Sequence, residues 1–148
     1  MRRVMIQALQ QASVLDALAL LPWRDYYELC KPRVVALIVF TAIVGMFLAT
    51  DPPGLVPWDA LLFGTVGIAL CAASAAAINH VVDQRVDAEM RRTRNRPLPT
   101  GHLPARSALT FAMGLGTIGM SVLWWLVNPL TAVLTFLSLI GYAVIYTM

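Results

Sequence analysis

ALLFGTVGIALCAASAAAINHVVDQRVDAEMRRTRNRPLPTG, residues 60–101, decides the architecture of this chain. Its first 23 residues, Ala60 to Val82, hold no Asp, Glu, Lys or Arg, whereas Asn79 to Gly101 holds three of the eight acidic residues and five of the eleven basic ones. A helix needs about 20 mostly apolar residues to cross a bilayer. The stretch therefore reads as a membrane span that runs straight into a concentrated block of polar chemistry.

Working outward, two more uncharged runs appear: Val34 to Thr50, 17 residues, and Ser107 to Met148, 42 residues. The longer one has room for two spans, and Asn128-Pro129 is the natural turn between them. The expected fold is all-α, a polytopic transmembrane helical bundle with spans at about 33–50, 59–82, 106–127 and 129–147. Composition agrees, since 59% of residues are hydrophobic and 13% charged, against roughly 25% charged in soluble domains.

The basic residues test the span count. Arg2, Arg3, Arg24, Lys31 and Arg33 precede the first span, and Arg85, Arg91, Arg92, Arg94, Arg96 and Arg106 follow the second. The other two loops have none. Four spans put all of them on one side, and the positive-inside rule makes that side cytoplasmic, together with the N-terminus and Met148. A cell inner (plasma) membrane is the expected location. The net charge of +3 is no nucleic-acid footprint, because the bases flank apolar spans and no soluble basic domain exists to hold a duplex.

Residues 1–22 read as a cytoplasmic or interfacial segment, an amphipathic helix closed by Pro22, with a targeting segment as the alternative. Trp23, Tyr26 and Tyr27 among Arg24, Lys31 and Arg33 make an interfacial mixture, and Pro32 suits the first turn of the first span. Cys30 and Cys71 have no metal or redox spacing and are expected to be free structural thiols.

In the polar block, Asn79, Asp83 and Asp87 are spaced i, i+4, i+8, which places them on one face of a helix. Extended backwards, that face reads Gly67, Cys71, Ala75, so it is small within the membrane and carries carboxylates at its end. Two carboxylates and an amide are hard oxygen ligands, suited to Mg²⁺, which commonly completes its shell with water and substrate phosphate. Arg92, Arg94 and Arg96 offer guanidinium forks for phosphate oxygens, on a loop stiffened by Pro97-Leu98-Pro99. The plainer readings are an Arg loop that serves topology and lipid headgroups, and an Asp87–Arg91 helix-end ion pair. Gly114, Gly116 and Gly119 suit helix packing, or else leave room for a lipid-like chain.

Asn79-x3-Asp83-x3-Asp87, followed by Met90-x-Arg92-Thr93-x2-Arg96-Pro97-Leu98-Pro99-x-Gly101, resembles the first aspartate-rich motif of the UbiA superfamily of intramembrane prenyltransferases. His80 after the Asn, Lys31-Pro32-Arg33 and Tyr146-Thr147 are most similar to its haem-farnesylating branch. The resemblance covers the chain from about residue 24 and implies a UbiA-like bundle of about nine spans, four of them here, around a cavity with two facing aspartate motifs. No acidic residue follows Glu89, so the chain is expected to be the N-terminal half, residues 23–148, of such a transmembrane domain.

The implied activity joins farnesyl diphosphate to a vinyl group of haem b, giving haem O for terminal oxidases, with oxidase assembly factors as further partners. By the same resemblance Asp83, Asp87 and Asn79 hold Mg²⁺, and Arg92 and Arg96 stabilise the departing diphosphate. Asn79 and Lys31 are further substrate contacts. His80 is expected to be a hydrogen-bonding residue rather than a haem ligand, and His102 has no assigned role. The alternatives are a quinone-pathway aromatic prenyltransferase and a non-catalytic membrane assembly module.

Overall fold

The computed structural model describes residues 23–51, 55–93, 96–101 and 103–147, with side chains as far as Tyr142. The segment 1–22, Arg94 and His102 lie outside the described residues. Six helices account for most of the rest: α1 Trp23–Leu29, α2 Pro32–Ala49, α3 Trp58–Val82, α4 Gln84–Glu89, α5 Ala105–Leu126 and α6 Pro129–Thr147. The described residues contain no strand, as expected of an all-α membrane bundle.

Three of these helices, α2, α3 and α5, are long and apolar enough to cross a membrane. The fourth expected span is helix α6, 19 residues in all, whose apolar segment Pro129–Tyr142 is shorter than the others. Proline marks two starts: Pro32 occupies the first turn of α2, where its missing N–H costs nothing, and Pro129 opens α6. Asn128 does more than turn the chain, because its Oδ1 accepts a hydrogen bond from the Thr131 N–H at 2.7 Å and so caps α6.

The frame is the pair α3 and α5, which share the largest interface. Gly67 and Gly119 let the two backbones meet. A Cβ on Gly119 would stand 2.8 Å from Cys71 Sγ and 3.0 Å from both Cys71 N and Gly67 O, and one on Gly67 would stand 2.6 Å from Leu123 Cδ2. Beside them Ser74 Oγ donates to the Ala112 carbonyl at 2.7 Å, and Gly116 leaves room for that hydroxyl. The small face expected along Gly67, Cys71 and Ala75 is therefore divided. Gly67 serves helix packing together with Gly116 and Gly119, Gly114 faces open space, Cys71 both packs on Gly119 and borders a cleft between α2, α3 and α6, and Ala75 looks into that cleft.

A second cluster, Leu29, Ala77, Leu98, Leu103, Ala108 and Ala112, ties the loop after α4 to α3 and α5. Tyr26 of α1 joins it and stacks on Phe111 with ring centroids 4.8 Å apart. None of the residues of α2 is buried, which suits a helix facing lipid.

Because the Gly119 contact is backbone against backbone, Gly119→Ala must push the helices apart. The expected cost is about 1–3 kcal/mol. Gly114→Ala, whose new methyl meets nothing, should leave stability unchanged. Chemical unfolding of both variants in detergent micelles checks the contrast, and equal stabilities would contradict the packing described.

Candidate functional site

The polar residues assemble where α3 leaves its apolar course. α3 ends at Val82, Asp83 forms a turn and α4 begins at Gln84. The helical stripe expected through Asn79, Asp83 and Asp87 is thus broken into two helices. Its spacing survives because the Asp83 N–H donates to the Asn79 carbonyl at 2.9 Å and the Asp87 N–H to the Asp83 carbonyl at 2.8 Å.

Two pairings organise the side chains. With the Asn79 amide oriented by its neighbours, Nδ2 donates to Asp83 Oδ2 at 3.1 Å and Oδ1 accepts from Lys31 Nζ at 3.0 Å. Asp87, only 5% exposed, accepts from Arg96 Nη1 at 2.6 Å. A buried carboxylate needs such a partner, since the cost of desolvating it unpaired is several kcal/mol. The Asp87–Arg91 pair suggested by helical spacing is replaced by this loop contact.

The loop that brings Arg96 back is a run of turns. Arg96 N–H donates to the Thr93 carbonyl at 3.0 Å, Gly101 N–H to Leu98 at 3.1 Å and Leu103 N–H to Pro97 at 3.2 Å. Gly101 has φ 76°, a conformation glycine adopts without strain. Thr93 Oγ1 donates to the Asp87 carbonyl at 3.0 Å, Gln84 Nε2 to the Leu98 carbonyl at 3.2 Å, and Leu98 is fully buried. The loop's rigidity comes from these bonds and the Leu98 anchor as well as from its prolines. Thr93 stands, without an assigned role, in the motif that begins at Asn79, and Gln84 is not singled out by the sequence; both are positioning residues, and neither has a chemical signature of its own in a linear pattern.

Lys31 carries the backbone outlier of the structure, φ 47° and ψ 61°, in the left-handed region that costs a non-glycine residue about 1 kcal/mol. It ends α1, through its N–H to the Glu28 carbonyl at 3.1 Å, and starts α2, whose Val34 and Val35 N–H groups bond its carbonyl. Glycine would serve that turn more cheaply, but would lack the side chain that reaches Asn79. Burial pushes the Lys31 pKa down from 10.5, and Arg96 adds to this, while Asp83 and Asp87 act in the opposite direction.

Other expected residues stand elsewhere. Arg92 is exposed, and no hydrogen bond or ion pair joins it to the cluster among the described residues. His80 is 3% exposed and neither ring nitrogen has a partner among the described residues, so its expected role as a hydrogen-bonding residue is not met within the chain. Cys30 and Cys71 are free thiols as expected, and desolvation pushes the Cys30 pKa up.

Below the cluster lies the cleft between α2, α3 and α6, about 420 Å³ and mostly apolar, with Lys31 at its polar end. The site is therefore amphiphilic: carboxylates and cations at one end, a pocket for hydrocarbon at the other.

A membrane-embedded all-α chain with a carboxylate and guanidinium cluster above an apolar cleft is the class of protein defined here. The chain belongs to the UbiA prenyltransferase family, which residues 38–148 match. It is 62% identical over 126 residues to the Protoheme IX farnesyltransferase of Hahella chejuensis, covering 85% of this chain and 42% of that protein. It is 62% identical over 129 residues to the protein of the same name from Nitrosococcus oceani, covering 87% and 42%. For that of Thioalkalivibrio sulfidiphilus the identity is 64% over 126 residues, covering 85% and 41%. The chain thus spans about two-fifths of the length of these curated relatives. No solved structure matches it.

Arg96→Met removes the partner of a carboxylate that stays buried. The expected loss is roughly 2–4 kcal/mol of stability, with faster hydrogen exchange across residues 90–103. Arg96→Met with wild-type stability and exchange would show that the pair does not hold the loop.

Proposed function

We propose that this chain forms the first diphosphate-binding half of an enzyme that transfers a farnesyl group from farnesyl diphosphate to a vinyl group of haem b, giving haem O for terminal oxidases. The observation that carries the proposal is the continuity of Lys31, which borders the apolar cleft and donates to the Asn79 Oδ1, whose amide in turn donates to Asp83. An allylic diphosphate has that same division, a charged head on a hydrocarbon tail. The identity to proteins named Protoheme IX farnesyltransferase supports haem as the acceptor.

In the reaction the allylic C–O bond breaks and its electron pair leaves with the diphosphate. The vinyl π electrons form the new C–C bond, and water captures the resulting cation as a hydroxyl, releasing a proton. Negative charge grows at the leaving oxygens, so preorganised cations there lower the barrier. Arg96 lies in the cluster for this role, with Lys31 beside it. Arg92 reaches the diphosphate only if its exposed side chain folds inward. The apolar walls of α2, α3 and α6 would keep the hydrocarbon end poor in water and so protect the allylic cation until the vinyl group attacks.

The donor set suits Mg²⁺. Asp83 and Asp87 present hard oxygens, and each carboxylate keeps one oxygen unbonded among the described residues, whereas the Asn79 oxygen is taken by Lys31 and would ligate a cation only on giving up that bond. No group of three or more His, Cys, Asp or Glu converges among the described residues, so substrate phosphate and water complete any shell. When bound there, the ion neutralises charge on the leaving diphosphate.

All eleven Lys and Arg either precede the first span or follow the second in sequence, a distribution that supports an inner (plasma) membrane orientation with the Arg-rich loop cytoplasmic. Membrane lipid is then the surrounding partner, and oxidase assembly factors are the expected protein partners.

Asp83→Asn in the full gene product should lower haem O formation at least about a hundredfold, in the range of lost charge stabilisation, while membrane insertion is unchanged; chelation with EDTA should do the same. Mass analysis of products from haem b and from 4-hydroxybenzoate identifies the acceptor. Prenylation of the benzoate alone would indicate a quinone-pathway enzyme, and absence of both products an assembly module. Lys31→Gly relieves the left-handed turn but leaves the Asn79 Oδ1 without its donor, so the two effects offset and stability should change by no more than about 1 kcal/mol, while farnesyl diphosphate binding weakens about tenfold, as read by calorimetry.

A further inference from the structure

We propose that Ile68 of α3 sets the length of prenyl chain the protein accepts, by closing the deep end of the cleft between α2, α3 and α6. The inference rests on the prenyl-transfer reading and names the residue that selects its donor. On the α3 side the cleft wall is made by Ala76, Ala75, Ala72 and Cys71, and the first large side chain on that wall is Ile68. Ile68 is held in place by packing against the cluster of Cys71, Leu123 and Ala132. The wall is thus smooth and small for two turns and then blocked.

The depth of the block can be compared with hydrocarbon chains. Ile68 lies eleven residues below Asn79 on one helix, about 16 Å at 1.5 Å per residue. An extended chain advances about 1.2 Å per bond, as in a fully extended polypeptide. With its first carbon at the level of Asn79, the twelve-carbon main chain of a farnesyl group ends about 13 Å down, and the sixteen-carbon chain of a geranylgeranyl group about 18 Å down. The first stops above Ile68; the second runs into it. Lys31 fixes the starting level, because its ammonium stands at the polar end of the cleft and bonds Asn79.

The test uses the full gene product in membranes, supplied with haem b and with geranyl, farnesyl or geranylgeranyl diphosphate, and reads kcat/KM for each donor by product mass. Ile68→Ala should raise the geranylgeranyl-to-farnesyl ratio about tenfold or more, the scale of adding hydrocarbon to a pocket that accommodates it. Ile68→Val, which perturbs packing less, should move the ratio in the same direction by a smaller factor. Ala72→Leu, which blocks the same wall about 10 Å below Asn79, should shift preference toward geranyl diphosphate. Ratios unchanged in folded Ile68→Val and Ala72→Leu, in an enzyme whose wild type farnesylates haem, overturn the role of Ile68 alone. A wild type that prenylates nothing overturns the prenyl-transfer reading itself.

Discussion

The close contact of α3 with α5 is the constraint on which the rest of the structure depends. Between membrane helices no hydrophobic gain separates helix from lipid, so association rests on van der Waals contact and hydrogen bonds. Gly67 against Gly119 supplies the first, and Ser74 to the Ala112 carbonyl the second. These contacts fix how far α3 extends past α5 and which way it faces. Asn79, Asp83 and Asp87 stand at or just beyond that end of α3, the loop after α4 returns Arg96 to it before α5 begins, and Lys31 reaches it from the junction of α1 and α2. The same contact turns the adjoining side of α3, with Ala72, Ala75 and Ala76, toward α2 and α6, where it becomes the wall of the cleft.

Charge in the site is held in two separate pairings, and their separation matters. Asp83 is satisfied through Asn79 and Lys31, whereas Asp87 is satisfied through Arg96. Only Asp87 is ion-paired among the described residues, to Arg96 from the loop after α4; Asp83 is bonded by the neutral Asn79 amide, which Lys31 at the end of α1 holds in turn. The two carboxylates are thus satisfied through different elements, and neither relies on the other's partner. Lys31 accepts a strained backbone to do this, and Thr93 and Gln84 hold the loop so that Arg96 can.

His80 stands apart from this economy. A buried polar group with no partner costs about 1–3 kcal/mol, and both His80 nitrogens are in that condition among the described residues. It is buried on α3, one turn beyond Ala77 of the cluster that ties α3 to α5. Arg92 is the opposite case, with a strong motif position but an exposed side chain free of the cluster.

Much was determined by the sequence alone. Uncharged runs fixed the helices and their class, because backbone groups in lipid must be satisfied within a helix and apolar length is read directly. The i, i+4 spacing brought Asn79, Asp83 and Asp87 together, and the motif they begin marked the family. Local pattern also placed the turns at Pro32 and Asn128. Only the tertiary structure decided which residues of the small face pack and which line a cleft, since Gly67, Cys71 and Ala75 look alike in a linear pattern and differ only in what stands opposite. It likewise chose Arg96 over Arg91 as the partner of Asp87, through a loop whose path depends on Leu98 reaching a core built from three other segments. Burial and distance are properties of the assembled chain, and a buried carboxylate takes the cation that the fold delivers in place of the one nearest in sequence.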